Sequence, residues 1–420
     1  MKFWSLVIFV ILFILSILFV FISLKEDTIK IGLLYSKTGT MAASEDIIAK
    51  MVNFDVENIN NSGGILGKKI EIIEYDGKSN PKEFAKGANY LSSKGVKTIF
   101  GCWTSASRKA VKPIIEKNNM ILFYPLQYEG VEESKNIVYL GMTPNQQINQ
   151  TLSYIKNNIG DDIYIVGSNY IYPRVVDAYI KEFSKLIGMN RLDSHYIILG
   201  DINFKEIVKD IKVKKPSAII NTINGDSNIA FFKELEKQNI SSKDIPVFST
   251  SIDEVMVKKI SSKLKNNSLD GNYATWSYFN SIDTKENIEL KNKLKKRYGD
   301  DFILTDAGYS ISIGINLFKR AIIASKNQNV DEILYNLKMD SLNTLEGIVY
   351  LHKNNHLYKN VKIGKLENNN FKIVHSTKIL SKPQPYPMIK SKEYWKKLEV
   401  ELYKSWGNSW QEKSKMKALR

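Results

Sequence analysis

Thiols are almost missing from this chain, which carries Cys102 as the single cysteine among its 420 residues. One thiol makes no internal disulfide and no zinc site of its own. Histidine is nearly as scarce, at His195, His352, His356 and His375. The middle two, His352 and His356, stand among Lys353, Asn354 and Asn355 in a stretch that reads as strand and turn. A metal pair on one helix face is therefore not expected there. Glycine and proline number only 23 and 10, and no low-complexity block or short repeat occurs, which argues against disorder and against solenoids. Gly-x-Gly-x-x-Gly, P-loop, His-Glu-x-x-His and Gly-x-Ser-x-Gly patterns are all missing. Gly225-Asp226-Ser227 resembles a hydrolase serine motif only in part, and no histidine stands in a partner context. No catalysis, cofactor or metal is expected.

Basic residues are abundant, and the net charge is +16. They are spread along the whole chain and mixed with Asp and Glu, without a basic stripe interleaved with aromatics. That pattern reads as solvated surface, and nucleic acid is not expected as a partner. Apolar residues are concentrated at the start. Residues 3–24 are almost unbroken Ile, Leu, Val and Phe, interrupted by Ser5, Ser16 and Ser23. At ~1.5 Å rise per residue, about 20 residues cross the ~30 Å hydrocarbon core. Lys2 precedes the run, while Lys25, Glu26 and Asp27 add no net positive charge after it. The charge rule leaves the N-terminus in the cytoplasm and sends the rest outward. Residues 1–27 are thus expected to be a membrane anchor in the inner membrane or an uncleaved signal, since Phe21-Ile22-Ser23 offers no good cleavage pattern.

From residue 28 the chain alternates between short β-rich runs and longer segments with apolar spacing near 3.6 residues. Strands are expected at 29–35, 69–75, 96–100, 120–124, 162–167, 217–221 and 245–249. Helices are expected at 49–59, 108–117, 145–159, 174–187 and 228–237, and later at 286–298, 310–325 and 331–338. Alternation of this kind implies parallel sheets covered by helices, an α/β fold. Continuous apolar strands such as Tyr164-Ile165-Val166 fit sheets buried on both faces. The elements fall into two sets, so the expected plan is one lobe over 28–143, completed by about 276–345. A second lobe covers 144–275 and is completed by about 346–380. Residues 381–420 form a strap and basic tail containing Trp395, Trp406 and Trp410.

Polar and aromatic clusters follow the expected strands one after another. Ser36-Lys37-Thr38-Gly39, Cys102-Trp103-Thr104-Ser105, Pro125-Leu126-Gln127-Tyr128, Ser168-Asn169-Tyr170-Ile171-Tyr172, Asn224-Gly225-Asp226 and Thr250-Ser251 are the clusters. Ligands of open α/β sheets bind where the loops after the strands converge. Hydroxyls and N–H groups at a helix start, as in Thr104-Ser105-Ala106-Ser107, can donate to a carbonyl oxygen without help from charge. Tyr124, Tyr170, Tyr172 and Trp103 could sandwich a flat molecule and supply directed hydroxyls. Taken singly, each cluster reads more readily as a helix cap or as lobe-interface packing than as a ligand site. Their common position is what points to a cleft.

The run Gly101-Cys102-Trp103-Thr104-Ser105-Ala106-Ser107-Arg108-Lys109-Ala110-Val111, then Phe123-Tyr124-Pro125 and Gln127-Tyr128-Glu129-Gly130, resembles the substrate-binding proteins of urea ABC transporters. These are close relatives of the amide-sensing binding proteins. The likeness continues through Gly167-Ser168-Asn169-Tyr170-Ile171-Tyr172-Pro173-Arg174 and Asn221-Thr222-Ile223-Asn224-Gly225-Asp226-Ser227-Asn228, collinearly from about residue 29 to 387. The resemblance implies a two-lobed type I periplasmic-binding (Venus-flytrap) fold, each lobe a parallel sheet flanked by helices. It implies urea or a short amide as ligand, with ABC permease subunits or a sensor partner. Carried over by position, Ser105 and Tyr124 serve the first lobe and Tyr170 the second; Trp103, Thr104, Tyr172, Asn224 and Asp226 join them by motif position. Asn169 stands where the family usually has aspartate, and the lipid-attachment cysteine of many exported binding proteins is missing. A tethered sensor therefore stands beside the transporter subunit as a reading.

Overall fold

The computed structural model describes residues 28–265, 268–338 and 340–412. The expected anchor at residues 3–24 and the end of the basic tail lie outside them. Among the described residues, no helix is long and apolar enough to cross a membrane.

The first sheet is built from β1 (Ile29–Tyr35), β2 (Ile70–Asp76), β3 (Thr98–Gly101), β4 (Ile121–Tyr124) and β5 (Ile137–Tyr139), in the order β2-β1-β3-β4-β5. Every pairing in it is parallel. Parallel neighbours need crossover connections, and α1 (Ala42–Asn61), α2 (Pro81–Ser93) and α3 (Ser105–Lys117) supply them. Asn80 caps α2 through Lys82 N–H, with Pro81 at the first helical position, where its missing N–H costs nothing.

The second sheet takes β6 (Asp162–Ser168), β7 (Asn190–Ile197), β8 (Ala218–Thr222), β9 (Val247–Ser249) and β10 (Tyr273–Trp276). Its helices are α4 (Pro144–Asn158), α5 (Ile171–Ile187), α6 (Lys205–Lys214), α7 (Ser227–Lys237) and α8 (Glu254–Ser261). Side chains alternate across a strand. Ile163 and Ile165 accordingly join one core with α4 and α5, while Tyr164 and Val166 join another with Val208, Phe231 and Met256. All four strand residues are fully buried, as continuous apolar runs in doubly covered sheets require.

The chain then returns to the first lobe with α9 (Lys285–Tyr298), α10 (Asp306–Ser325) and α11 (Val330–Leu337), whose Leu294, Phe318 and Leu334 enter the first core. A small antiparallel sheet of β11 (Ser341–Thr344), β12 (Gly347–Leu351) and β13 (Leu357–Tyr358) follows. Its Val349, Leu351 and Leu357 also belong to the first core, so the first lobe extends past the expected boundary at 346. The later strands β14 (Lys362–Glu367) and β15 (Asn370–Ser376) join the second sheet, antiparallel at its edge.

The chain passes between lobes near residues 140–144, 277–284 and 359–361, and these crossings are cross-linked. Lys359, fully buried, donates to Leu140 O and to Ser310 Oγ, each at 3.0 Å, and lies 3.4 Å from Glu346. Lys362 donates to Ser277 O at 2.9 Å. Gly141 stands in the first crossing; a Cβ there would fall 1.9 Å from the Leu126 carbonyl carbon. Trp395 of α12 (Lys392–Ser405) is fully buried in the core shared with α5 and donates to Pro387 O at 2.8 Å. Its neighbour Glu399 pairs with Lys109 of the first lobe, so the strap engages both lobes.

Candidate ligand cleft between the lobes

The first-lobe wall begins with a strained turn. Gly101 has φ +140°, and a Cβ there would lie 2.0 Å from Leu34 O. The next residue, Cys102, has φ +60°, a region that side chains other than those of Gly, Asn and Asp rarely enter. This turn leads through Trp103 into α3. Thr104 caps the helix by accepting from Ser107 N–H at 3.1 Å, which leaves the N–H groups of Ser105 and Ala106 without an intrahelical acceptor. At the end of β4, Tyr124 donates to Trp103 O at 2.6 Å. Trp103, Thr104, Ser105 and Tyr124 are all buried.

Behind them lies a charge cluster. Arg108, on the first turn of α3, donates to Ser105 Oγ at 3.1 Å, to Glu129 Oε1 at 2.8 Å and to Glu132 Oε1 at 3.0 Å. Its guanidinium lies 4.8 Å from the Tyr124 ring centroid and 4.6 Å from that of Tyr128, within cation–π range. Lys109 donates to Glu132 Oε2 at 3.0 Å, and Tyr139 OH to Glu132 Oε1 at 2.8 Å. Burial opposes the charges here, yet Arg108, then Lys109 and Lys112, hold the Glu132 carboxyl well below its ordinary range. Glu129 keeps one oxygen free, for its buried Oε2 has no partner among the described residues, and neither has the buried Oε1 of Gln127. An unmade buried acceptor costs about 1–3 kcal/mol.

The second-lobe wall carries hydroxyls and amides. Tyr170 and Tyr172, at the start of α5, have ring centroids 6.2 Å apart. Tyr172 OH donates to Thr250 Oγ1 at 2.8 Å. Burial raises both phenols well above their ordinary pKa, and the Glu129 charge adds to it for each. Gln127 of the first lobe donates to Thr250 O at 2.6 Å, and Ala106 of α3 shares a buried cluster with Tyr170, Ile171 and Tyr172. Gly225 lies against Thr40 and Met41. The two walls therefore meet.

Of the residues expected at the site, Trp103, Thr104, Ser105, Tyr124, Tyr170 and Tyr172 are brought together. Asn224 is buried beside them but braces its own loop, its N–H donating to Ser168 Oγ at 3.1 Å and its amide to Thr222 O at 3.4 Å. Asp226, unlike them, is half-exposed: its side chain is 47% exposed and pairs with Lys259 at 2.6 Å. A carboxylate beside a nearby lysine gains more in water than a lone carboxylate gains in a cleft. The expectation that Lys and Arg are surface residues also fails at Arg108, Lys109, Lys359 and Lys362, all buried on paired acceptors. Asn169 donates to the Glu412 carboxylate on the strap, a contact that an aspartate would turn into repulsion. His356 is buried and stacked on Tyr139 at 4.1 Å between centroids, and burial pushes its pKa down to about 3. Arg108, Gln127, Glu129, Glu132 and Thr250 were not assigned from sequence; the orphan oxygens that mark two of them are visible only in three dimensions.

Solved structures share the fold. A solute-binding protein of an ABC transporter from Rhodopseudomonas palustris BisB5, in complex with 3,4-dihydroxybenzoic acid, is similar with a TM-score of 0.75 and 20% identity over 85% of this chain and 99% of that one. The branched-chain amino acid transporter substrate-binding protein LivJ of Streptococcus pneumoniae, in complex with isoleucine, gives 0.72 and 18% over 84% of this chain and 100% of that one. Among curated proteins, the Leu/Ile/Val-binding protein BraC3 of Rhizobium johnstonii is 25% identical over 206 residues, 47% of this chain and 55% of the relative. The matched region thus spans about half the length of that relative. The family model for the periplasmic binding protein domain matches residues 29–392, and this chain belongs to that family.

Proposed function

We propose that this protein is an extracytoplasmic solute-binding subunit that captures urea or a short-chain amide and delivers it to an ABC-type permease. The observation that carries this reading is the neutral wall of Ser105, Tyr124, Tyr170 and Tyr172, buried together where the lobes meet. The relative BraC3 is named for leucine, isoleucine and valine, and the two solved structures hold isoleucine or an aromatic acid; they support solute capture and leave the guest to be read from the residues here. Free N–H groups at the start of α3 suit a carbonyl oxygen. Phenol oxygens and the unpartnered oxygens of Gln127 and Glu129 suit amide N–H groups. Urea has four heavy atoms, so at about 1.5 kcal/mol each its binding is limited to ~6 kcal/mol, a Kd of roughly tens of micromolar. Lobe closure would then be hinge motion biased by contacts made only in the closed form. A membrane-tethered sensor for a similar ligand is the second reading, resting on the apolar segment at residues 3–24.

Calorimetry with urea, acetamide, formamide and amino acids tests the assignment. Heat with urea or a short amide is expected, and Ser105→Ala with Tyr124→Phe should weaken it at least about tenfold. Silence toward all amides, with heat from a branched-chain amino acid, would overturn it.

A further inference from the structure

Glu129 is divided between two tasks. One carboxylate oxygen is held by Arg108 at 2.8 Å, with Lys109 Nζ 3.7 Å away. The other is buried and has no partner among the described residues. Two residues earlier Gln127 repeats the pattern: its amide nitrogen donates across the cleft to Thr250 O at 2.6 Å, while its own oxygen is buried and unpartnered. Tyr128, between them, is turned away, its ring stacked on Tyr139 at 4.9 Å and its hydroxyl bonded to His356. A buried carboxylate oxygen is the strongest acceptor a protein can offer a neutral or cationic N–H group.

The surroundings are equally selective. The guanidinium nearest the site is held by Ser105, Glu129 and Glu132 and packed between the Tyr124 and Tyr128 rings. A guest carboxylate placed beside the free Glu129 oxygen would meet a like charge, which at short range disfavours both being ionised.

We propose that Glu129 is the specificity-determining residue of the cleft: its free oxygen, assisted by that of Gln127, accepts from a guest –NH2 group and excludes carboxylate-bearing guests. This rests on the reading of the cleft as a binding site for small amides and extends the guest class to guanidinium, whose paired N–H groups match a carboxylate in geometry and charge. Amino acids and benzoates fall outside it.

The test is calorimetry on the full chain with urea, formamide, guanidinium, leucine and benzoate, for the wild type and Glu129→Gln. Wild type should take up the three N–H donors and ignore both carboxylates. In Glu129→Gln, guanidinium affinity should fall by roughly tenfold to a hundredfold, because a charge-assisted bond is replaced by a neutral one. Urea affinity should fall several times less than that. A purely structural loss would lower both by the same factor and overturn the proposal, as would unchanged guanidinium binding. Wild-type preference needs no variant, so leucine or benzoate binding overturns the proposal even where Glu129→Gln fails to fold. Guanidinium binding that depends on Glu129, with urea and formamide silent, supports the proposal while rejecting urea and short amides as the guest.

Discussion

The two walls of the cleft are built from different chemistry. The first-lobe wall is backed by ionised groups, with Arg108 and Lys109 against Glu129 and Glu132, all buried. The second-lobe residues Tyr170, Tyr172, Asn221 and Thr250, all buried, offer phenols, hydroxyls and a carboxamide. Ions buried within one lobe are desolvated once, when that lobe folds, and their partners hold them in every later state. A wall that docks and undocks would have to lose and regain hydration at each cycle, which is costly for ions and modest for hydroxyls. The difference teaches a division of labour: a charged, fixed template and a neutral cover.

If that division is right, breaking the template costs far more than trimming the cover. Arg108→Met leaves Glu129 and Glu132 buried without their main partner and should destabilise the protein by about 3–5 kcal/mol, measured by thermal denaturation at fixed pH without urea or guanidinium. A loss below ~1 kcal/mol would remove the ion cluster from the framework.

A second test lies deeper in the first lobe. Glu45 accepts from Ser36 N–H at 2.6 Å, and burial raises its pKa to about 8. A raised carboxyl keeps its proton in the folded state while the unfolded chain releases it, so stability falls as pH rises from the ordinary value to 8. His356, with its pKa lowered to about 3 from 6.5, works in the opposite direction but only below 6.5. Between pH 6.5 and 8 the wild type should therefore lose about 2 kcal/mol through Glu45, and Glu45→Gln should lose that much less. Equal slopes in the two proteins would contradict the assignment.

Trimming the cover has smaller consequences. Tyr172→Phe removes a hydroxyl from Thr250 Oγ1 and should cost about 0.5–1.5 kcal/mol, read as weaker ligand binding with little change in melting temperature. Least of all, Asp226→Asn opens a half-exposed pair with Lys259. It should change stability by less than about 1 kcal/mol and leave binding as it was; a large loss of binding would return Asp226 to the site.

The same contrast explains how much could be read from sequence. Strand β1 was expected over the range it occupies, since an apolar run followed by Ser36-Lys37-Thr38-Gly39 has a sharp end. Strand β7 was missed because Asn190-Arg191-Leu192-Asp193-Ser194-His195 carries the polar side chains of a sheet edge, which look like loop. The hydroxyl and aromatic residues of the cover were legible because tyrosines placed after strands are conspicuous. The template was not. Arg108 sits 21 and 24 residues from Glu129 and Glu132, and nothing local distinguishes a buried ion from a solvated one. Asp226 shows the same in reverse: a carboxylate in a strand-end loop looks unpaired until Lys259, 33 residues away, is seen beside it.

Hydrogen–deuterium exchange with and without saturating urea tests most directly whether a guest is enclosed by loops from separate lobes. Slowed exchange at 101–107 and 124–130 together with 168–173 is the result this account predicts. Protection confined to one lobe, or found only on remote surfaces such as the edge strand β15, would contradict it.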